Sequence, residues 1–205
     1  MMENKEYLPD SAYALITTQS DLIAENHTVS DLLGDREWWG AIFEKDPNPK
    51  YRYMLWRIWQ KDLPLFVIFM LNPSAADHLE NDTTVTGIMG KARTLGFGGI
   101  LVINLFAYRA TSPEDMKKQK NPKGDHNDLV IKTVLEQNPE YILCAWGTHG
   151  NHQNRDKEAI CAIKKAKAKP FALRLSKHGM PEHPLYKKLE LMPGPWDIDG
   201  GAILR

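Results

Sequence analysis

The chain has 205 residues, of which 42% are hydrophobic, and its 26 basic side chains balance its 26 acidic ones. This length predicts a single α/β domain over residues 1–205, in which residues 1–50 form an N-terminal extension. No apolar run is long enough to cross a bilayer, and the polar start does not resemble a signal peptide, so we expect a cytoplasmic protein. Two cysteines are too few for a disulfide framework, so we expect Cys144 and Cys161 to be core thiols.

The charge is unevenly distributed along the chain. Residues 1–50 carry 4 basic and 10 acidic side chains, whereas residues 117–190 carry 15 basic and 8 acidic ones. The net charge of zero taken alone argues against a large nucleic-acid-binding surface, but this asymmetry permits a basic face with an acidic region elsewhere. The lysine run at residues 164–169 is equally typical of a solvated helix face.

The first predicted elements are a pair of strands. Aromatic residues alternate over residues 51–59, residues 60–64 supply a turn, and residues 65–71 form an apolar strand, which together predict a hairpin. The aromatic residues near Arg52 and Arg57 could stack on bases, or they could belong to the core.

Helices and strands alternate after this pair. Asp82 predicts the cap of a helix over about residues 83–95, and Gly96 predicts its end. The later predicted elements are strand 100–104, a short helix from Pro113, helix 125–137, strand 141–146, helix 156–168 and strand 171–175. This alternation predicts a three-layer α/β/α sandwich with a mainly parallel central sheet.

Polar residues follow four of the predicted strands. Asn72-Pro73-Ser74 ends the first apolar strand, Asn104 the second and Trp146-Gly147 the third, while the chain after the fourth leads to His183. Open α/β sheets bind their ligands at the carboxyl ends of strands. The sequence therefore predicts one site formed by these ends.

The residue types at the predicted site suit hydrolysis. Asn72 can orient a water or hold a sugar but cannot accept a proton, and Pro73 fixes the backbone beside it. Asp77 or Asp82 can take a proton from water, and His183 can stabilise an anion. The structural alternatives are a strand-to-helix turn at Asn72, helix capping by the aspartates and a solvated loop at His183.

The second strand end carries groups that suit a nucleobase. The amide of Asn104 can donate and accept together, which matches the edge of a base. Phe106 and Tyr108 offer stacking, and Arg109 can attract a phosphate. A turn formed by the side chain of Asn104 is the structural alternative.

Several other chemistries lack their motifs. The pairs His149/His152 and His178/His183 do not have the spacing of a zinc site. There is no phosphate-binding loop, hydrolase elbow or dinucleotide-binding glycine pattern.

Four segments carry a resemblance to a known family. The chain resembles the bacterial and phage family DUF1643 over about residues 51–187. The segments that match are Leu71-Asn-Pro-Ser-Ala-Ala-Asp77, Val102-Ile-Asn-Leu-Phe-Ala-Tyr-Arg-Ala-Thr111, Ala145-Trp-Gly147 and Gly179-Met-Pro-Glu-His-Pro-Leu-Tyr186.

The same segments, in the same order, are similar to the motifs of the uracil-DNA glycosylase superfamily. This resemblance implies that Asn72 positions the attacking water and that Asn104 reads a flipped base. It implies that Trp146 lies in the strand-end Trp-Gly motif, that His183 supports the departing base and that Leu185 wedges into the duplex. The tyrosine and histidine that complete the first motif in the uracil enzymes are absent, so the resemblance does not name the base.

The function that the resemblance implies is a DNA glycosylase without cofactor or metal. Its substrate would be a damaged, mismatched or modified base, and phage DNA is one source of such bases. The alternatives are a hydrolase or transferase of free nucleosides or nucleotides, and a non-catalytic nucleic-acid-binding module. The expected base contacts are Pro73, Asn104, Phe106 and Trp146, and the expected DNA contacts are Ser74, Arg109, Arg155, Lys177, Leu185 and Tyr186.

Overall fold

A computed structural model describes residues 27–33, 38–44, 46, 48–60, 62–74, 76, 80–139, 141–184 and 190–204. The strands are β1 (His27–Leu33), β2 (Trp38–Glu44), β3 (Arg52–Ile58), β4 (Leu65–Met70), β5 (Gly99–Asn104), β6 (Ile142–Cys144), β7 (Pro170–Ala172), β8 (Gly194–Asp197) and β9 (Ala202–Ile203). The α-helices are α1 (Thr83–Thr94), α2 (Pro113–Lys117), α3 (Asn127–Glu136) and α4 (Arg155–Lys165).

The described strands form one mixed sheet. Their order is β1-β2-β3-β5-β4-β6-β7-β8-β9. The pairs among β5, β4, β6 and β7 are parallel, and the pairs on both sides of this group are antiparallel. The α/β class is therefore confirmed, whereas the expectation of a mainly parallel sheet is wrong. Part of the predicted N-terminal extension, β1 and β2, lies in the sheet.

The predicted hairpin between β3 and β4 is also wrong, because β5 lies between them. Two glycines allow this insertion. A Cβ atom on Gly98 would lie 1.9 Å from the backbone oxygen of Gln60, and one on Gly99 would lie 2.8 Å from that of Arg57. Only residues without a side chain fit where the chain passes so close to its neighbours.

The core has two parts, one on each face of the sheet. Alternate residues of β4 point to opposite faces, as Phe66 and Ile68 pack with α1 while Val67 and Phe69 pack with α3 and α4. The apolar runs of β4 and β5 are buried over their full length, because helices cover both faces.

The predicted helix signals hold at the described termini. The side chain of Asp82 accepts a hydrogen bond from the backbone N–H of Val85 at 2.8 Å, and that of Ser112 accepts one from Asp115 at 3.1 Å. Cys144 is buried, but Cys161 lies exposed on α4 rather than in the core. None of the described helices is long and apolar enough to span a membrane.

Candidate functional site

Two adjoining cavities lie where β4, β5 and β6 end. The larger has a volume of about 490 Å³ and the smaller of about 50 Å³. Both are lined by Asn72, Ser74, Thr84 and His183. Trp146 lines the larger cavity and Asn104 the smaller one. The polar strand ends noted in the sequence are thus brought together around one connected space.

Asn72 is held by the backbone of the neighbouring strand end. Its Nδ2 atom donates to the carbonyl oxygen of Ala110 at 2.8 Å and to that of Pro73 at 3.0 Å. The backbone N–H of Ala110 in turn donates to the carbonyl of Pro73 at 2.9 Å. With Nδ2 engaged, Oδ1 is the atom of this amide that can accept a hydrogen bond from a water or ligand.

Asn104 lines the smaller cavity and carries a buried donor. The residue is 1% exposed, and its Nδ2 atom has no hydrogen-bond partner among the residues that the structure describes. Its backbone is fixed from the other side, because Nδ2 of Asn127 donates to the carbonyl oxygens of Asn104 and Leu105, each at 2.9 Å. A buried donor without a partner costs folding free energy, and a water or ligand that accepts from it would recover this cost.

Trp146 forms a rigid wall of the larger cavity. It is 1% exposed, and its ring meets those of Phe69 and Trp196 edge to face. The turn that follows packs tightly on it, since a Cβ atom on Gly150 would lie 2.5 Å from the indole. Trp146 therefore shapes the cavity through packing rather than through a mobile side chain.

A short turn brings His183 and Glu182 to the cavity. Leu175 and Pro181 form an antiparallel bridge, and the backbone N–H of Glu182 donates to the carbonyl of Arg174 at 2.9 Å. The backbone N–H of Gly147 donates to the carbonyl of Pro181 at 2.8 Å, which ties this turn to the end of β6. The two adjacent side chains, one acidic and one imidazole, are thereby fixed beside Trp146.

Glu182 is a functional candidate that the sequence reasoning missed. Among the described residues that line the larger cavity, it carries the only carboxylate. Its side chain is 22% exposed, and an oxygen lies 3.8 Å from Nε of Arg174. The signal in the sequence was its position directly before His183.

Arg52 was also missed as a site residue. It is 3% exposed, lines the smaller cavity with Asn104, and donates through Nη1 to the carbonyl of Ala76. A charged residue inside the fully buried strand β3 was the available signal, because an arginine in a core needs specific partners. Asp82 lines the same cavity, and its observed role is the cap of α1.

A basic pair lies at the wall of the larger cavity. His149 lines this cavity, and its Nδ1 atom lies 2.8 Å from Nζ of Lys117. The sequence reasoning considered His149 for metal binding alone. Among the described residues, no group of three or more histidine, cysteine, aspartate or glutamate side chains has the arrangement of a metal site.

The structure places two predicted contact residues away from the cavities. Phe106 is fully buried in the core, where its ring packs against that of His152. Arg155 is 5% exposed; its guanidinium donates to the carbonyl of Leu105 and binds Asp128 and Glu158. Arg155 therefore supports the fold through these contacts.

The other predicted residues lie around the site at varying depth. Pro73 is buried beside Asn72, and Lys177 is exposed next to Ser176, which lines the cavity. Arg109 packs over the ring of Phe43 and donates to the carbonyl of Pro49 at 3.3 Å, so it turns away from the cavities. The remaining predicted residues, Asp77, Leu185 and Tyr186, lie outside the described part of the chain.

A family model matches more than half of the chain. The model of a family described as "Protein of unknown function (DUF1643)" matches residues 52–185. No curated protein and no solved structure matches the chain. The matched region contains the described walls of both cavities.

Proposed function

Since the chain belongs to the DUF1643 family, whose description assigns no activity, we propose its function from the site: hydrolysis of the N-glycosidic bond of a damaged, mismatched or modified base in DNA. The observation that carries this proposal is the buried, unpartnered Nδ2 atom of Asn104 in a cavity shared with Asn72 and His183. The resemblance of these motifs to the uracil-DNA glycosylase superfamily supports the same assignment.

The smaller cavity suits the edge of a base rather than a whole nucleotide. About 50 Å³ admits an oxo group or a ring nitrogen, while the adjoining space of about 490 Å³ accommodates the rest of a nucleoside. Asn104 would donate to an acceptor on the base edge. A base inside a duplex cannot reach this depth, so the substrate would enter as a flipped or single-stranded nucleotide.

The proposed reaction begins at water. Oδ1 of Asn72 accepts a hydrogen bond from the water and orients it, while the carboxylate of Glu182 takes its proton. The water oxygen bonds to C1′ of the sugar as the bond from C1′ to the base breaks. An asparagine cannot accept the proton itself, and Glu182 carries the carboxylate in the described wall of the larger cavity.

The base departs with the electron pair of the broken bond. His183 lies at the junction of the two cavities, where it would stabilise the developing negative charge on the base. Arg52, which lines the smaller cavity, places a permanent positive charge near the same edge. Donors fixed before the reaction stabilise such charge without reorganisation.

One observation favours a second candidate, a hydrolase or transferase of free nucleosides or nucleotides. Arg109 and Arg155, two of the residues expected to contact DNA phosphates, are engaged elsewhere. A free nucleoside needs the base pocket but not a basic groove. Binding of DNA would then depend on other basic residues near the cavities, among them Lys177.

The decisive experiment is a mass-spectrometric screen for bases released from DNAs that carry different modified bases. The same bases should be offered as free nucleosides in parallel. Release from DNA supports the glycosylase, and release from nucleosides alone supports the second candidate. If neither substrate class releases a base, the site is a binding module and the proposed chemistry is wrong.

The salt dependence of DNA binding also distinguishes the glycosylase from the hydrolase or transferase of free nucleosides. Binding to DNA weakens steeply with salt when several phosphates are neutralised, and each tenfold rise in salt lowers the logarithm of the binding constant by about 0.9 per neutralised phosphate for duplex DNA and about 0.7 for single strands. Affinity for DNA that stays the same between low and moderate salt would favour a small substrate.

A further inference from the structure

We propose that Lys117 and His149 form a phosphate-binding site at the wall of the larger cavity. His149 lines the cavity, and Nζ of Lys117 lies 2.8 Å from its Nδ1 atom. The ligand class is a phosphate group, either the terminal phosphate of a nucleotide or a phosphodiester of DNA. This site extends the proposed function, on which its role in the cell rests.

The contact between the two side chains assigns one ring nitrogen to Lys117. An ammonium group has donors only, so Nδ1 of His149 accepts when Lys117 donates to it. Nε2 is then the ring nitrogen that remains for a ligand, and as an N–H group it would donate to a phosphate oxygen.

Lys117 forms no ion pair with a described acidic residue. It is half-buried on α2. Other lysines differ, since Lys118 binds Asp115 and Lys123 binds Asp128. A partly desolvated ammonium gains more from an anion than an exposed one does.

Hydroxyl groups complete the wall. Thr111 and Thr148 line the same cavity as His149, and a hydroxyl can donate to a phosphate oxygen. Glu182, the carboxylate proposed for the hydrolysis, lines the same cavity from a different turn, beside His183.

The test measures binding rather than base release. Two probes are used: inorganic phosphate, which represents a terminal phosphate, and a single-stranded abasic oligodeoxynucleotide without terminal phosphates, which contains phosphodiesters only. Imidazole ¹H–¹⁵N correlations of the full-length protein report the tautomer of His149 and its shift on titration. We expect His149 to show the Nε2–H tautomer and to shift with at least one probe.

Variants assign the effect to the pair. Lys117→Met should weaken binding of the effective probe by about tenfold or more, the size expected for one charged hydrogen bond, and Lys117→Arg should retain most of the affinity. The matched control is Lys120→Met, which removes the same charge from an exposed position nearby. His149→Asn provides an independent variant if Lys117→Met does not fold.

Each outcome decides a separate question. A response to phosphate alone assigns the site to a nucleotide, and a response to the oligonucleotide assigns it to DNA; both support the proposal. Equal losses in Lys117→Met and Lys120→Met, or no shift of His149 with either probe, would overturn it. Phosphate binding without base release leaves this site standing and refutes the glycosylase instead.

Discussion

Asn104 and Arg155 are both buried polar residues near the backbone of Leu105, yet their side chains differ in their hydrogen bonds. Arg155 donates through Nε and Nη2 to the carbonyl of Leu105, at 3.1 and 2.9 Å, and its Nη1 pairs with Asp128 and Glu158. The Nδ2 atom of Asn104 has no partner among the described residues. Arg155 is the first residue of α4, whereas Asn104 lines the smaller cavity.

This difference distinguishes a residue that stabilises the fold from one that is available to a ligand. Asn127 and Arg155 hold the backbone at Asn104 and Leu105 from one side, and the side chain of Asn104 is thereby fixed on the other. A group whose hydrogen bonds are complete stabilises the fold. A donor left unpaired costs stability, and a water or ligand that accepts from it would recover this cost.

The largest effect is expected at the chemistry itself. His183→Ala should slow base release by about 10²–10³-fold, as when one preorganised anion-stabilising donor is removed. Asn72→Ala should reduce turnover far more than DNA binding, because its amide orients water in the reaction. Single-turnover release of the base identified by the screen measures both effects.

The control for these variants is a measurement of whether they fold. Circular dichroism and equilibrium unfolding should show that both variants stay folded. If both release the same base at the parent rate, the roles proposed for Asn72 and His183 are wrong even though the fold is unchanged.

Arg155→Met should have the largest effect on stability. The side chain is 6% exposed, and its removal deletes two hydrogen bonds to Leu105 and two ion pairs. We expect a loss of about 2–3 kcal/mol in the free energy of unfolding, typical of hydrogen bonds from a charged buried group. Urea denaturation measures it, with Lys132→Met on α3, an exposed paired lysine, as the control for charge removal. A loss equal to that of the control would show that Arg155 is not a structural anchor.

The elements were predictable because their signals are local. The apolar runs of β4 and β5, the Asp82 cap and the Ser112-Pro113 helix start depend on neighbouring residues in the chain. The strand order was not predictable, because the insertion of β5 depends on the close approach of Gly98 to Gln60. That contact joins distant parts of the chain.

The candidate site was predictable in part for the same reason. Asn72, Asn104, Trp146 and His183 each follow an apolar run, and the topology brings such ends together. The roles of Arg155 and Phe106 depend instead on which face of the sheet they meet. A loop position in the sequence does not contain that information.

A smaller effect is expected for Asn104→Leu, a change that keeps the number and branching of the side-chain heavy atoms. Because the lost Nδ2 atom had no partner, the free energy of unfolding should change by no more than about 1 kcal/mol, or rise. Base release should fall by about tenfold or more, since the base edge loses its donor. A loss of stability as large as that of Arg155→Met would remove the distinction between the two residues.

The smallest expected effect is on stability alone, and it depends on pH. Burial by itself raises the pKa of Asp128, but the hydrogen bond from Lys123 and the charge of Arg155 outweigh it, so the pKa lies below its usual value. A carboxyl whose pKa is lowered by folding contributes stability above its unfolded pKa of about 3.9 and loses it as pH falls through the folded pKa. Asp128→Asn should therefore cost less than about 1 kcal/mol at neutral pH, because the side chain is 53% exposed and screened by solvent. Urea denaturation should show this cost shrinking as pH falls below the unfolded pKa and the parent carboxyl protonates. A cost that is independent of pH would mean that Asp128 contributes packing rather than charge to the Arg155 cluster.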